Sequence, residues 1–279
     1  MSTVGIIHPG AMGISIAASA QAAGHTVYWA SAERSATSRQ RATQHNLLDA
    51  ETVARLCECC DVILCVCPPH AAEAVAESAL EAGFTGLYCD GNAISPEKAR
   101  RIGERMRSAG CDFVDGGIIG PPAWEKGSTR FYLSGSSAAQ VAALFIGSVT
   151  EAIDIGAEVG RASALKMVFA AQTKGTTALL SAVQAAAEAL SVRGDLDGEW
   201  ARRLPDAAES RAQPVRSVTA KAWRFTGEMQ EIAATFAEAG LPDGFHLAAY
   251  EVYRRMAGFK DAEATPPLED VLAALLDEN

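Results

Sequence analysis

The sequence predicts an α/β chain in two parts, a doubly wound parallel sheet followed by an all-helical domain. Two observations carry this. Up to about residue 155, short apolar runs alternate with Ala- and charge-rich segments of helix length, and after residue 160 the strand signal stops. The runs at 3–8, 25–30, 61–67, 86–90, 111–117 and 130–135 are almost continuously apolar. Strands covered on both faces read this way, whereas a half-solvated strand alternates. Between them, 11–23, 70–82 and 96–109 have the composition of crossover helices.

Helical patterns at 161–192, 197–209, 214–239, 243–257 and 267–276 fill the remainder. They are punctuated by "RGDLDG" after the first, by Pro205 and Pro214 around the second, and by "GLPDG" at 240–244. The change of pattern falls in "GAEVG", which predicts domains 1–158 and 159–279.

Composition narrows the function. The chain has 279 residues, 49 % of them hydrophobic and 21 % charged, enough to bury a large core. A formal charge of −10 with scattered basic residues argues against a nucleic-acid partner. The Ala-rich stretch 163–190 is interrupted by Lys166, Gln172, Lys174, Gln184 and Glu188, so no membrane span is expected. The first strand pattern starts at Thr3, which leaves no room for a signal peptide and predicts a cytoplasmic protein. Of the seven cysteines, Cys57 and Cys60 have CxxC spacing, but no second pair completes a tetrahedral site. Cys65 and Cys67 lie in an apolar run, where cysteine acts as a small hydrophobe, so no metal is expected.

The opening "VGIIHPGAMGISIAASAQAAGHTVYWAS" is a strand, a glycine turn, a small-residue helix and a second strand. This is the phosphate-binding unit of a Rossmann-type dinucleotide domain. Gly10 admits close approach of backbone amides to a pyrophosphate, Gly13 lets the helix pack on the sheet, and the helix N-terminus supplies N–H donors. His8 stands where the usual pattern has its first glycine, and Pro9 fixes the turn. The second strand ends near Ser31, with Glu33 the nearest acid and Arg34 beside it. A hydroxyl followed by arginine suits a 2′-phosphate and predicts NADP over NAD. The alternative is a solvated helix start capped by Glu33.

With these motifs in place, the chain resembles the β-hydroxyacid dehydrogenase superfamily, which includes 3-hydroxyisobutyrate and 6-phosphogluconate dehydrogenases. The likeness runs over essentially the whole sequence. "VGIIHPGAMG" matches the glycine-rich loop, "CVCPP" (65–69) the third βα loop, and "CDGNAISP" (89–96) the loop bordering the nicotinamide. "VDGGIIGPP" (114–122) stands at the substrate signature, and "VGRASALKMV" (159–168) at the segment of the catalytic lysine. "AKAWRFTGEMQEIAATFAEAGLPDGF" (220–245) is similar to a phosphogluconate-dehydrogenase-like branch. The resemblance implies a cofactor held by His8, Pro9, Gly10, Ala11, Met12, Gly13, Ser31, Arg34, Val66, Cys67, Pro68 and Asn92. It implies a substrate beside Gly117, Ile118, Ile119 and Gly120, with Lys166 as general acid and base. Ile119 replaces the signature serine, and Phe169 and Ala170 replace the asparagines one turn after the lysine.

Helical spacing puts Lys166, Ala170, Thr173 and Thr177 on one stripe, the pattern of a polar cleft wall in an otherwise buried helix. An amine snorkelling to solvent or pairing with a carboxylate is the structural alternative. Thr173 is a candidate substrate contact, Lys174 and His246 are candidate cations for an acidic substrate, and Glu228 is a candidate partner for a polar or cationic group. Lys126, Arg130 and Arg224 are further cations of the same kind. The expected substrate is a small hydroxy acid or keto acid. An imine reductase shares the architecture but typically has another residue at Lys166, and a protein that binds NADPH without turnover is the rival outside enzymes. Small residues along the long helix predict a homodimer.

Overall fold

The computed structural model describes residues 1–277 and divides into two compact units, Met1–Met167 and Val168–Asn279. In the first unit the order is β1 (Thr3–Ile7), α1 (Ala11–Ala22), β2 (Thr26–Trp29), α2 (Ala36–Gln44), β3 (Leu48–Asp49), α3 (Val53–Cys59) and β4 (Val62–Cys65). Then follow α4 (Ala72–Glu81), β5 (Leu87–Asp90), α5 (Pro96–Ser108), β6 (Asp112–Ile119), β7 (Arg130–Ser134), α6 (Ala138–Ala143) and β8 (Glu151–Asp154). One sheet holds all eight strands in the order β3-β2-β1-β4-β5-β6-β7-β8.

The first six strands run parallel as expected, and β7, antiparallel to β6 and parallel to β8, is the one reversal in a mainly parallel sheet. The reason lies in 120–129, which contains no helix and returns the chain directly, whereas a parallel return needs a crossover element. Two strands go beyond the expected six: β3 is only two residues long, and β8 is half-exposed at the sheet edge. The period-2 alternation of strands splits the core in two. Ile6, Leu64, Cys89 and Val114 belong to one cluster, and Ile7, Ile63, Tyr88 and Phe113 to the other. Both faces are therefore dry, which is why the strand sequences do not alternate in polarity.

Helix α7 (Arg161–Ala189) starts in the first unit and continues into the second. The second unit continues with α8 (Arg193–Arg203), α9 (Ala207–Ser217), α10 (Thr219–Glu238), α11 (Gly244–Arg255) and α12 (Leu268–Leu276). Two expected breaks are corrected here. "RGDLDG" opens α8, because the chain turns earlier, at Ser191 with φ 57°, and Asp195 then favours the helix N-terminus. Pro214 lies inside α9, one turn before its end, while Pro205 separates α8 from α9. Tyr253, fully buried, packs edge-to-face on Phe225 at 5.3 Å and donates its hydroxyl to the Lys174 carbonyl at 2.7 Å.

Candidate active site

Parallel strands deliver their carboxyl ends to one sheet edge, and the chain reverses its strand order between β1 and β4. The crevice at such a switch point is where open α/β sheets bind ligands. At this edge Gly10 is the N-cap of α1, with extended backbone and no side-chain cap, and α1 has no acid in its first turn. The first N–H groups of α1 are thus left for an external anion. Nothing lies within 4 Å of a Cβ built on Gly10, so the approach is open. At Gly13 a Cβ would sit 2.1 Å from the His8 carbonyl oxygen, so only glycine fits beneath the turn. That same oxygen accepts from Gly10 N at 2.8 Å, and His8 N donates to the Val66 carbonyl at 3.3 Å. Pro9, Ala11 and Met12 complete this loop. The residues present fit a dinucleotide pyrophosphate.

Beyond β2, Ser31 is buried, and its carbonyl accepts from Arg34 N at 3.2 Å. Arg34 Nε donates to the Ala32 carbonyl at 3.2 Å, which anchors the guanidinium over the turn. Glu33 is exposed with φ 57° and is not the helix cap; Ser35 caps α2 by accepting from Ser38 N. Burial, together with the nearby Arg34 cation, holds the His8 imidazole down at about 4.

Between β4 and β5 a buried network ties two loops. Asn92 accepts from Cys67 N at 2.5 Å, and its own backbone and side-chain N–H groups donate to Asp90, both at 2.9 Å. Burial pushes the Asp90 carboxyl up to about 7, against the Asn92 hydrogen bonds and with Asp115 adding to the rise. Val66 and Cys67 are half-buried, and Pro68 is exposed at the mouth of the loop. Burial holds the Cys57 thiol up at about 11 and the Cys60 thiol at about 12, so neither is a nucleophile.

The start of α7 is fixed from the sheet. Asp115 on β6 accepts from Gly160 N and Ser163 N, both at 3.0 Å, from Ser163 Oγ at 2.5 Å and from Ser134 Oγ at 2.9 Å. Ala162 N in turn donates to Ser134 Oγ at 3.1 Å. A buried carboxylate thus serves as the helix cap, and burial raises its pKa despite these bonds. Asp115, Ser134 and Ser163 went unnoticed in the sequence; the signal was an acid inside the apolar run of "VDGG". Two residues past Asp115, a Cβ on Gly117 would stand 2.5 Å from the Ala162 carbonyl oxygen and 3.0 Å from Lys166 Cβ. The root of Lys166 therefore rests on the backbone of Gly117. Asp90 and Asp115 are register partners on β5 and β6, so Asn92 and Gly117 each lie two residues beyond that pair. Ile118 and Ile119 are buried in the strand, with Ile118 in the core cluster, so their side chains are taken up by packing. Gly120, at φ +129°, turns the chain where a Cβ would meet the Ser128 carbonyl oxygen at 2.3 Å.

Residues 3–146 match the NAD binding domain of 6-phosphogluconate dehydrogenase, which is more than half of the chain. The chain belongs to the β-hydroxyacid dehydrogenase superfamily. As a member it is an NAD(P)-dependent oxidoreductase. Residues 187–256 match a domain of unknown function, DUF1932. Among solved structures, the conserved protein MTH1747, described as similar to 3-hydroxyacid dehydrogenases, is 25% identical with a TM-score of 0.67, covering 99% of this chain and 100% of its own. The 3-hydroxyisobutyrate dehydrogenase of Mycobacterium tuberculosis has the same fold, with 18% identity, a TM-score of 0.70 and coverage of 99% and 100%. So has a reductive aminase from Aspergillus terreus, at 16% identity, a TM-score of 0.57 and 98% coverage of each chain. None of the curated proteins matches the chain.

Most of the remaining candidates of this superfamily member lie in the second unit, with Lys126 and Arg130 in the first. Lys174 and Glu228 were expected as separate ligands, but they form an ion pair with each other, both largely buried. The Lys174 amine also lies 4.5 Å above the Phe225 ring, so it is neither a free cation nor is Glu228 a free anion. His246 is not a cation either. It is 4 % exposed between Phe236 and Phe245, and burial lowers its pKa. Thr173 is exposed, and its hydroxyl donates back to helix carbonyls, as that of Thr177 does. Arg130 pairs with Glu151, Arg224 lies over Trp223, and Lys126 is exposed.

Proposed function

We propose that the chain is an NADP-dependent oxidoreductase acting on a small, acidic hydroxy compound or its keto form, with Lys166 as general acid and base. The observation that carries the reading is the seating of Lys166 on Gly117, just beyond the Asp90–Asp115 pair and alongside the strand that leads to Asn92. A bound nicotinamide supplies or accepts the hydride. Lys166 holds a proton for the substrate oxygen in reduction and takes it back in oxidation, and its charge stabilises the oxyanion. Asn92 fixes the β4 and β5 loops against each other, so the cofactor edge and the lysine keep one geometry. The backbone of Gly117 to Gly120 gives the substrate a wall without side chains in the way. The NADP preference is supported by buried Ser31 and by the anchored Arg34, whose planar fork matches a phosphate. Seven free thiols suit the reducing cytoplasm.

Lys166→Ala should lower kcat/KM by roughly 10²–10⁴-fold while NADPH binding, followed by fluorescence, stays as in the wild type. The assay is a panel of hydroxy acids and keto acids, with a cyclic imine included. Unchanged turnover in the variant removes Lys166 from the chemistry. Turnover of the imine alone moves the substrate to the C=N class, and tight NADPH binding with no turnover favours a sensor. Arg34→Ala should weaken NADPH binding about tenfold or more and leave NADH within about twofold, as loss of a charge-assisted bond dictates.

A further inference from the structure

We infer that His8 reads the cofactor's 2′-phosphate, its imidazole completing a two-cation clamp with Arg34 around that group. The inference rests on the NADP reading and gives it a second residue and a pH signature.

Placement comes first. The β1–β2 register ends with Ile6 paired to Trp29, so His8 and Ser31 each lie two residues past the last pair, at the carboxyl ends of neighbouring parallel strands. His8 thus stands at the carboxyl end of β1, against the turn that carries Arg34. A glycine there offers only backbone; this chain instead puts an imidazole where an adenosine ribose is expected. The backbone of His8 is held from two sides, by Val66 and by Gly10. Arg34 is fixed through Nε to the Ala32 carbonyl, and among the described residues no carboxylate pairs with its guanidinium. Arg34 acts on the His8 imidazole through its charge, and no carboxylate acts on it.

The charges that face the imidazole are few. The β2–α2 turn contributes Arg34. The first turn of α1 contributes Ala11, Met12 and Gly13, and the end of β4 contributes Val66 followed by Cys67, whose thiol stays protonated through its contact with Cys65 and burial. A proton on His8 is therefore opposed by burial and by Arg34. A phosphate dianion between the two reverses that balance, because it favours the imidazolium and screens it from the guanidinium. NADH brings a hydroxyl to the same place and leaves His8 neutral. Free 2′-phosphate has a pKa near 6 and gains charge with pH, so by itself it makes NADPH bind better, relative to NADH, as pH rises. A proton taken up by His8 works in the opposite sense, and the sign of the slope separates the two.

Dissociation constants for NADPH and NADH are measured by fluorescence from pH 7 to 8.5 on the wild type and on His8→Asn. The wild-type preference for NADPH should fall roughly three- to tenfold across this range, and that of His8→Asn should stay flat or rise. In case His8→Asn folds poorly, the wild type is also titrated by NMR with adenosine 2′,5′-bisphosphate. The His8 imidazole should move from about 4 to above neutrality, and adenosine 5′-phosphate should leave it acidic. A pH-independent NADPH preference, an equal fall in His8→Asn, or an imidazole that stays acidic with the bisphosphate bound overturns the role of His8 alone. A preference for NADH at every pH overturns the NADP reading and this inference together.

Discussion

Gly117 lets the first turns of α7, and with them the root of Lys166, lie close against β6. A methyl group there would lie 2.5 Å from the Ala162 carbonyl oxygen, and backbone at both ends of that contact leaves no flexible side chain to move aside. Gly117→Ala must push the first turns of α7 off the sheet, and displacement of about 1 Å costs on the order of 10²-fold in rate. The expected outcome is a drop of that size in kcat/KM with NADPH affinity unchanged; a fully active variant would show that the lysine is not positioned through this contact. Asp90 makes a different residue-level case, through pH. Its folded pKa of about 7 lies above the unfolded carboxylate value near 4. Its contribution to stability is therefore fully present below about pH 4 and is lost as pH rises through 7, worth on the order of 1–4 kcal/mol. Chemical unfolding of wild type and Asp90→Asn from pH 4 to 8 should show a steeper fall in the wild type. Parallel curves would mean that Asp90 stays ionised throughout. The sequence exposed the glycines of these loops, because a glycine between strand and helix has few other uses. It did not expose the roles of Asp90 and Asp115, because an acid in an apolar run acquires its partners only when distant strands and helices meet.

Helix α7 shows the same division one level up. Its start near residue 161 was legible from the loss of strand pattern and the run of alanines, and the match to its observed first residue is close. The device that starts it was not legible, since the capping carboxylate is Asp115, 48 residues before Ser163. Local capping signals follow from adjacent residues, whereas this cap follows from tertiary packing. The breaks at Pro205 and at Gly240 were readable, but Pro214 misled because a proline near the end of a helix can be carried by its surroundings. The antiparallel β7 escaped for a related reason: strand direction is set by the connection, and apolar runs do not encode it. Asp115→Ala leaves the Gly160, Ser163 and Ser134 donors without their buried acceptor. Loss of about 3 kcal/mol is expected, read as a lower midpoint in denaturant melts, with Asp115→Asn intermediate because one acceptor oxygen remains. Equal stability of all three proteins would remove the buried cap from the energetics of the fold.

For the molecule as a whole, we expect a second copy of the chain to cover α7. Leu165, Val168, Phe169 and Leu179 are 39%, 57%, 46% and 50% exposed. At 100° per residue they fall within an arc of about 100°, which also holds exposed Gln172, Thr176 and Ala186. Single exposed apolar side chains are ordinary, but four on one face of a long helix make a surface that a partner can cover. A seam of this kind that meets its own copy forms an isologous contact with two-fold symmetry, and the small residues allow the two helices to approach closely. Among the described residues, no helix is long and apolar enough to cross a membrane, so the seam is not part of a spanning segment. Leu179→Glu puts a charge in the middle of this face. Sedimentation equilibrium at micromolar concentration should give twice the chain mass for the wild type and a single chain mass for Leu179→Glu, with NADPH binding retained in both. A wild type that sediments as one chain, or a charged variant that stays dimeric, would leave the seam without a second copy to cover it.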